Sequence, residues 1–227
     1  MSSSTTTTSR PRPVFERAVA IGALQLPGNL TVPDSASALV LFAHGSGSSR
    51  HSPRNRAVAS ALNERGIATL LFDLLNPDEE QDRRNVFDIG LLAKRLVEAV
   101  RWVDSTPDLA SLPLGLFGAS TGAAAALVAA AQLGKRVGAV VSRGGRPDLA
   151  GLVLNQVTAP TLLIVGGLDG VVIELNETAY DRLRCKKALE IVPGATHLFP
   201  EPGALERVMA LAADWFGAHL GDDNAIS

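Results

Sequence analysis

The sequence predicts an α/β domain built on a mostly parallel, doubly wound sheet. Three observations carry that prediction. Short unbroken apolar runs alternate with amphipathic or alanine-rich helical stretches. One of those runs, Leu114–Phe117, leads through Gly118-Ala119-Ser120-Thr121-Gly122 into the small-residue run Ala123–Ala131. Polar residues punctuate the carboxyl ends of the apolar runs: His44–Ser48, Asp73, Ser120, Ser142-Arg143, Asp169 and His197. Ligands of open α/β sheets gather at those ends.

In chain order, Met1–Pro13 is a hydroxyl-rich, acid-free, low-complexity stretch, expected to be a disordered tail. Val14–Val32 predicts an antiparallel hairpin turning at Pro27-Gly28-Asn29. Ala38–Ala43 is a strand buried on both faces. Ser52-Pro53 then caps a helix that runs to about Arg65 and stops at Gly66. Ile67–Phe72 is the next strand, Asn76–Asn85 a solvated charged loop, and Phe87–Val103 an amphipathic helix. Val137–Val141, Thr161–Val165 and Ala188–Val192 complete the strands; Glu174–Arg184 and Ala204–Leu220 are helical. Residues 14–221 form one domain, and 222–227 are expected to be a flexible end.

Composition narrows the function. The 46% hydrophobic content with 4% aromatics implies a core of Val, Leu, Ile and Ala. A net charge of −2 gives no global attraction to nucleic acid or to an anionic membrane. No apolar run reaches transmembrane length. A single cysteine, Cys185, excludes an internal disulfide and fits a reducing, cytoplasmic setting. No metal or cofactor is expected, and oligomeric state is left open.

The Gly-x-Ser-x-Gly stretch reads as a strand–turn–helix that presents Ser120 as a nucleophile, with glycines where side chains would collide. The bland reading is a glycine-rich turn with Ser120 as an ordinary helix cap. A serine hydroxyl needs a base. Of four histidines, His219 is expected to be surface or capping, His51 to open an exposed helix, and His44 to shape its glycine loop. His197, after the last strand, is the best base; a capping or core imidazole is its alternative. Asp169 follows a strand, precedes His197, and has two glycines before it to let the chain turn; an Asx-turn aspartate is its alternative. Asp73 and Asp148 are weaker candidates for the acid. The chain order Ser120, Asp169, His197 is that of α/β-hydrolases.

With His44-Gly45-Ser46-Gly47, Gly118–Gly122, Gly166–Asp169 and Gly194–Phe199 in view, Ile21–Leu220 resembles the small α/β-hydrolases related to dienelactone hydrolase. The resemblance implies Ser120 as nucleophile, His197 as general base and Asp169 as its orienter, with the backbone N–H groups of Ser46 and Thr121 as oxyanion hole. Dienelactone hydrolases proper carry cysteine at the elbow, so Ser120 points instead to ester, thioester or lactone hydrolysis of a small molecule. The short link between Val141 and Thr161 leaves no room for a large lid. A non-catalytic binding protein on the same fold is the rival reading.

One further lead concerns substrate charge. No acidic residue occurs from His44 to Asn63, while Arg50, His51, Arg54 and Arg56 do, and Arg143 and Arg146 flank Gly144-Gly145 after another strand. The expectation is that Arg143, with Arg50, binds a carboxylate on the substrate. The competing expectation is that Arg54 and Arg56 are a solvated helix face and that Arg143 pairs with Asp73 or Asp148.

Overall fold

A computed structural model describes residues 14–221; the two predicted flexible ends, 1–13 and 222–227, lie outside the described residues. Among the described residues eight strands form one sheet: β1 Val14–Ile21, β2 Leu26–Pro33, β3 Ala38–Ala43, β4 Ile67–Phe72, β5 Leu114–Ala119, β6 Val137–Arg143, β7 Thr161–Gly166 and β8 Lys187–Val192. Their order is β1-β2-β4-β3-β5-β6-β7-β8. Pairings β1–β2 and β2–β4 are antiparallel and all others parallel, as an α/β-hydrolase fold requires.

The helices are α1 Pro53–Glu64, α2 Pro77–Glu80, α3 Arg83–Val86, α4 Ile89–Asp104, α5 Pro107–Ala110, α6 Thr121–Leu133, α7 Gly170–Arg182 and α8 Ala204–Leu220. They cover both faces of the sheet. On one face Val58 and Leu62 of α1 pack with Val208 and Phe216 of α8 over Val40, Phe42, Phe117 and Val141. On the other face Leu92, Leu96 and Val100 of α4 join the α6 alanines over Leu39, Leu41, Leu70 and Leu116. A Cβ at Gly115 would strike the Phe216 ring within 3 Å, so glycine there lets α8 lie close to the sheet.

The hairpin turns earlier than expected. Gly22 and Gln25, both at positive φ, make the turn, while Pro27-Gly28-Asn29 lies inside β2. Gly28 is a close-approach glycine: a Cβ there would sit 3.1 Å from both Phe72 and Val19. The predicted charged loop Asn76–Asn85 instead contains α2 and α3. Asn76 and Glu79 form a reciprocal capping box on α2, and the Asp82 side chain caps α3. Between β6 and β7 there is a 3-10 segment, Pro147–Gln156, and no large insertion. Among the described residues no helix is long and apolar enough to cross a membrane.

The order of the central strands places a topological switch between β3 and β5. The chain leaves β3 toward β4 on one side and resumes at β5 on the other. A crevice forms at the carboxyl ends of two such strands, and the His44–Ser48 loop and Ser120 both lie there.

Candidate active site

Ser120 ends β5 and caps α6 with φ +51 and ψ −123, a conformation strained for any residue with a side chain. Its side chain makes no capping bond, so the ordinary-cap reading does not hold. The flanking glycines are required by contact. A Cβ at Gly118 would lie 2.6 Å from the Gly122 carbonyl oxygen, and one at Gly122 would lie 2.6 Å from that of His44. Gly45 has the same role from the opposing loop, where a Cβ would lie 2.9 Å from that of Ser120.

His44 shapes its loop, as expected. It is buried; its Nε2 accepts the Leu74 N–H at 3.1 Å, so Nδ1 carries the proton and donates to the Gly45 carbonyl at 3.0 Å. Burial pushes its pKa below the usual 6.5. The ring is therefore a neutral bridge between the β3 and β4 loops.

His197 Nδ1 lies 2.6 Å from Asp169 Oδ2, with the aspartate largely shielded and the imidazole 38% exposed. The two glycines before Asp169 do not turn through positive φ; they permit contact between loops. A Cβ at Gly166 would lie 2.5 Å from the Ala195 carbonyl, and the Leu168 N–H donates to that same oxygen at 2.9 Å. The loops carrying acid and base are thus joined by backbone. His197 and Ser120 in turn share a neighbour in the 143–146 loop. Arg146 N–H donates to the Ser120 carbonyl at 3.0 Å, and a Cβ at Gly144 would lie 2.8 Å from the His197 carbonyl oxygen.

Two supporting residues went unnoticed in the sequence. Glu201 accepts from the Thr196 N–H at 3.1 Å and from its hydroxyl at 2.5 Å, bracing the loop of His197. The Thr196 bonds hold the Glu201 carboxyl below the usual carboxylate range. Asn176 of α7, fully buried, donates to the Gly145 carbonyl at 3.0 Å and fixes the 143–146 loop. Neither residue belongs to a motif; the only sequence signal is a polar side chain beside a functional loop.

The remaining expected residues fall as follows. Ser46 N–H donates to the Thr121 hydroxyl at 3.1 Å, and the Thr121 N–H stands at the first position of α6, without an intrahelical acceptor. Arg50 is not a free anion ligand: its guanidinium is paired with Asp73 and bonded to Asn29, and its own N–H donates to Asp73 at 2.7 Å. Arg143 pairs with neither Asp73 nor Asp148. It is buried on the α1 face, donates to Asn55 at 3.3 Å, and its pKa falls to about 10 through burial and the neighbouring Arg54 charge. Asp148 is taken by Arg146 at 2.8 Å. His219, expected to be surface or capping, is buried against Trp215, and its Nδ1 lies 2.8 Å from the Trp215 carbonyl in the last turn of α8. Cys185 lies 3.7 Å from Thr161, at the start of β7 and therefore at the opposite end of the sheet from Ser120.

A strained serine after β5, an imidazole–carboxylate pair from the β7 and β8 loops, and a glycine loop after β3 are the arrangement of an α/β hydrolase. Residues 36–207 match the family described as alpha/beta hydrolase domain, and the chain belongs to it. It is also similar to a dienelactone hydrolase from Anabaena variabilis, with 54% identity and a TM-score of 0.88 over 93% of this chain and all of that one. Est1E from Butyrivibrio proteoclasticus shares the fold at 17% identity and TM-score 0.75, over 90% of this chain and 98% of that one. Two Mycobacterium tuberculosis proteins, provisionally named phosphoribosyl transferases, are 62% identical over 202 residues, 89% of this chain. The chain spans about half, 46%, of the length of those relatives.

Proposed function

We propose that the protein is a serine hydrolase that cleaves a small carboxylic ester, thioester or lactone through an acyl-enzyme on Ser120. The observation that carries the reading is the 2.6 Å contact between His197 Nδ1 and Asp169, beside a serine held at φ +51. Asp169 accepts from Nδ1–H, which leaves Nε2 as the basic nitrogen. That nitrogen takes the Ser120 proton as Oγ attacks the carbonyl carbon, and returns it to the leaving alcohol or thiol. Water then repeats the sequence on the acyl-enzyme. General-base assistance supplies about 10²–10⁴-fold.

The developing oxyanion is received by the N–H groups of Thr121 and Ser46, each contributing roughly 10²–10³-fold in turnover. The phosphoribosyl transferase name of the mycobacterial relatives is not taken over, because this chain spans about half of them and the Ser120 turn is built for acyl transfer. The expected grip on a substrate carboxylate by Arg143 and Arg50 is not part of this proposal either. Arg50 is consumed by Asp73, and Arg143 runs to the α1 face.

Fluorophosphonate labelling of the full chain tests the reading. The expected result is one adduct on Ser120, lost in Ser120→Ala and blocked by a competing ester. A folded protein that takes no label defeats the enzyme reading and favours a non-catalytic binding protein.

A further inference from the structure

A cavity of about 380 Å³ lies against the oxyanion loop on its β4 side. Residues Gly45–Ser49 form one wall, and the apolar residues Leu74, Leu75, Val86 and Leu92 line the rest. Its size is that of a small-ligand pocket. Ser46, which lines it, also carries one of the two N–H groups assigned to the oxyanion, so an acyl or alkoxy arm on a carbonyl bound there has this cavity beside it.

One carboxylate, Glu80, lines the cavity, and no Lys or Arg does. No ion pair reaches Glu80 among the described residues: Arg83, three residues on, is exposed and pairs with no acid, and the neighbouring arginines are engaged elsewhere. Arg95 pairs with Glu79 and Glu98, Arg84 with Asp82, and Arg50 with Asp73. His44, the lining imidazole, is held neutral by burial, with both ring nitrogens bonded to backbone. Glu80 itself has no side-chain hydrogen bond or ion pair within the described residues. The Asn76 capping box uses Glu79, which leaves the neighbouring carboxylate at the exposed edge of the cavity.

We propose that this cavity binds an apolar arm of the substrate ending in a cationic group that Glu80 receives, and that Glu80 excludes arms ending in a carboxylate. The inference rests on the serine-hydrolase reading above and names the substrate class for that same site. It reverses the sequence expectation of an anionic substrate. The reason is pairing: Arg50, one of the two arginines expected to hold an anion, is bound to Asp73 and the other, Arg143, is buried on the α1 face, while an unpaired acid faces the cavity.

The test compares three p-nitrophenyl esters built on the same six-carbon chain: hexanoate, its 6-trimethylammonio derivative, and the monoester of adipate. The expected order of kcat/KM is cation, neutral, anion. An exposed charge contributes a fewfold at each step, so the cation-to-anion ratio is about tenfold. That ratio shrinks with added salt, approaches one in Glu80→Gln and inverts in Glu80→Lys. Val86→Trp, which fills the cavity, slows hexanoate more than acetate. An unchanged ratio in Glu80→Gln, or a wild type that prefers adipate, overturns the inference. Equal hydrolysis of all three esters with Ser120 labelled by fluorophosphonate defeats this inference alone. No hydrolysis and no labelling defeats the hydrolase reading, and the inference with it.

Discussion

The Ser46 backbone N–H donates to the Thr121 hydroxyl at 3.1 Å, which ties the loop after β3 to the first residue of α6. Both residues carry the N–H groups proposed for the oxyanion, so the bond sets the spacing of those two donors. It also occupies the Ser46 N–H until an oxyanion competes for it. Thr121→Val removes the acceptor and keeps the shape of the side chain. One neutral hydrogen bond contributes roughly 1 kcal/mol, so kcat should fall about fivefold. KM for a neutral ester should change little, and Thr121→Ser should restore turnover. Steady-state kinetics on p-nitrophenyl acetate decides; an unaltered kcat in Thr121→Val means the bond has no part in positioning.

Asp169 is expected to be the acid that orients His197. Asp169→Asn offers Nδ1 an amide instead of a carboxylate, so the imidazole loses the partner that selects its tautomer. By analogy with triad hydrolases the loss in kcat is on the order of 10³–10⁴. Asp73→Asn weakens the bonds to Arg50 and should cost stability before turnover. Measuring both variants for kcat and thermal midpoint separates the two aspartates. Near-normal turnover in Asp169→Asn with abolition in Asp73→Asn contradicts the assignment.

What the sequence made legible was whatever depends on local pattern. The buried strands Ala38–Ala43 and Ile67–Phe72, the Ser52 cap and the helix Ala204–Leu220 stand where hydrophobic runs and caps predict them. Ser120, Asp169 and His197, the proposed set, were legible as candidates because strand ends carry them in hydrolase order. Pairing between distant loops was not. Whether Asp73 takes Arg50 or Arg143 depends on how the loops after β3 and β4 meet. The Asn76–Asn85 stretch read as solvent-exposed because it is charged; its two short capped helices set Glu80 and Val86 at a cavity. The positive φ at Gly22 and Gln25 likewise overrode the stronger turn chemistry of Pro27-Gly28-Asn29.

His44 gives the fold a pH dependence with a defined sign. Burial lowers its pKa in the folded protein below the ordinary 6.5. Between the lowered value and 6.5 the unfolded chain holds a proton that the folded protein does not. Stability therefore rises with pH in that window, levels off above 6.5, and is lost on acidification. Urea unfolding between pH 7 and 5 should show this slope. His44→Gln retains a donor and an acceptor without a titrating proton, so its stability should fall less over the same range. Parallel slopes in the two proteins refute a depressed His44.

The φ of +51 at Ser120 is a conformation that glycine adopts readily and serine does not. Such strain costs of the order of 1–3 kcal/mol, and it is held where Gly118, Gly122 and Gly45 let the elbow pack against its neighbours at distances a side chain would not allow. Ser120→Ala removes the hydroxyl and keeps the Cβ, so the strain stays. Ser120→Gly removes both, although it adds backbone freedom to the unfolded chain worth about 0.4–1 kcal/mol. The net expectation is a glycine variant more stable than the alanine variant by about 1 kcal/mol. At this chain length that is roughly 2–4 °C in Tm. Both variants should be inactive toward esters. Calorimetry on the pair isolates the backbone term, because neither protein retains the nucleophile. An alanine variant more stable than the glycine variant by about 0.4–1 kcal/mol, the unfolded-chain term alone, would show that the elbow stores no strain at Ser120.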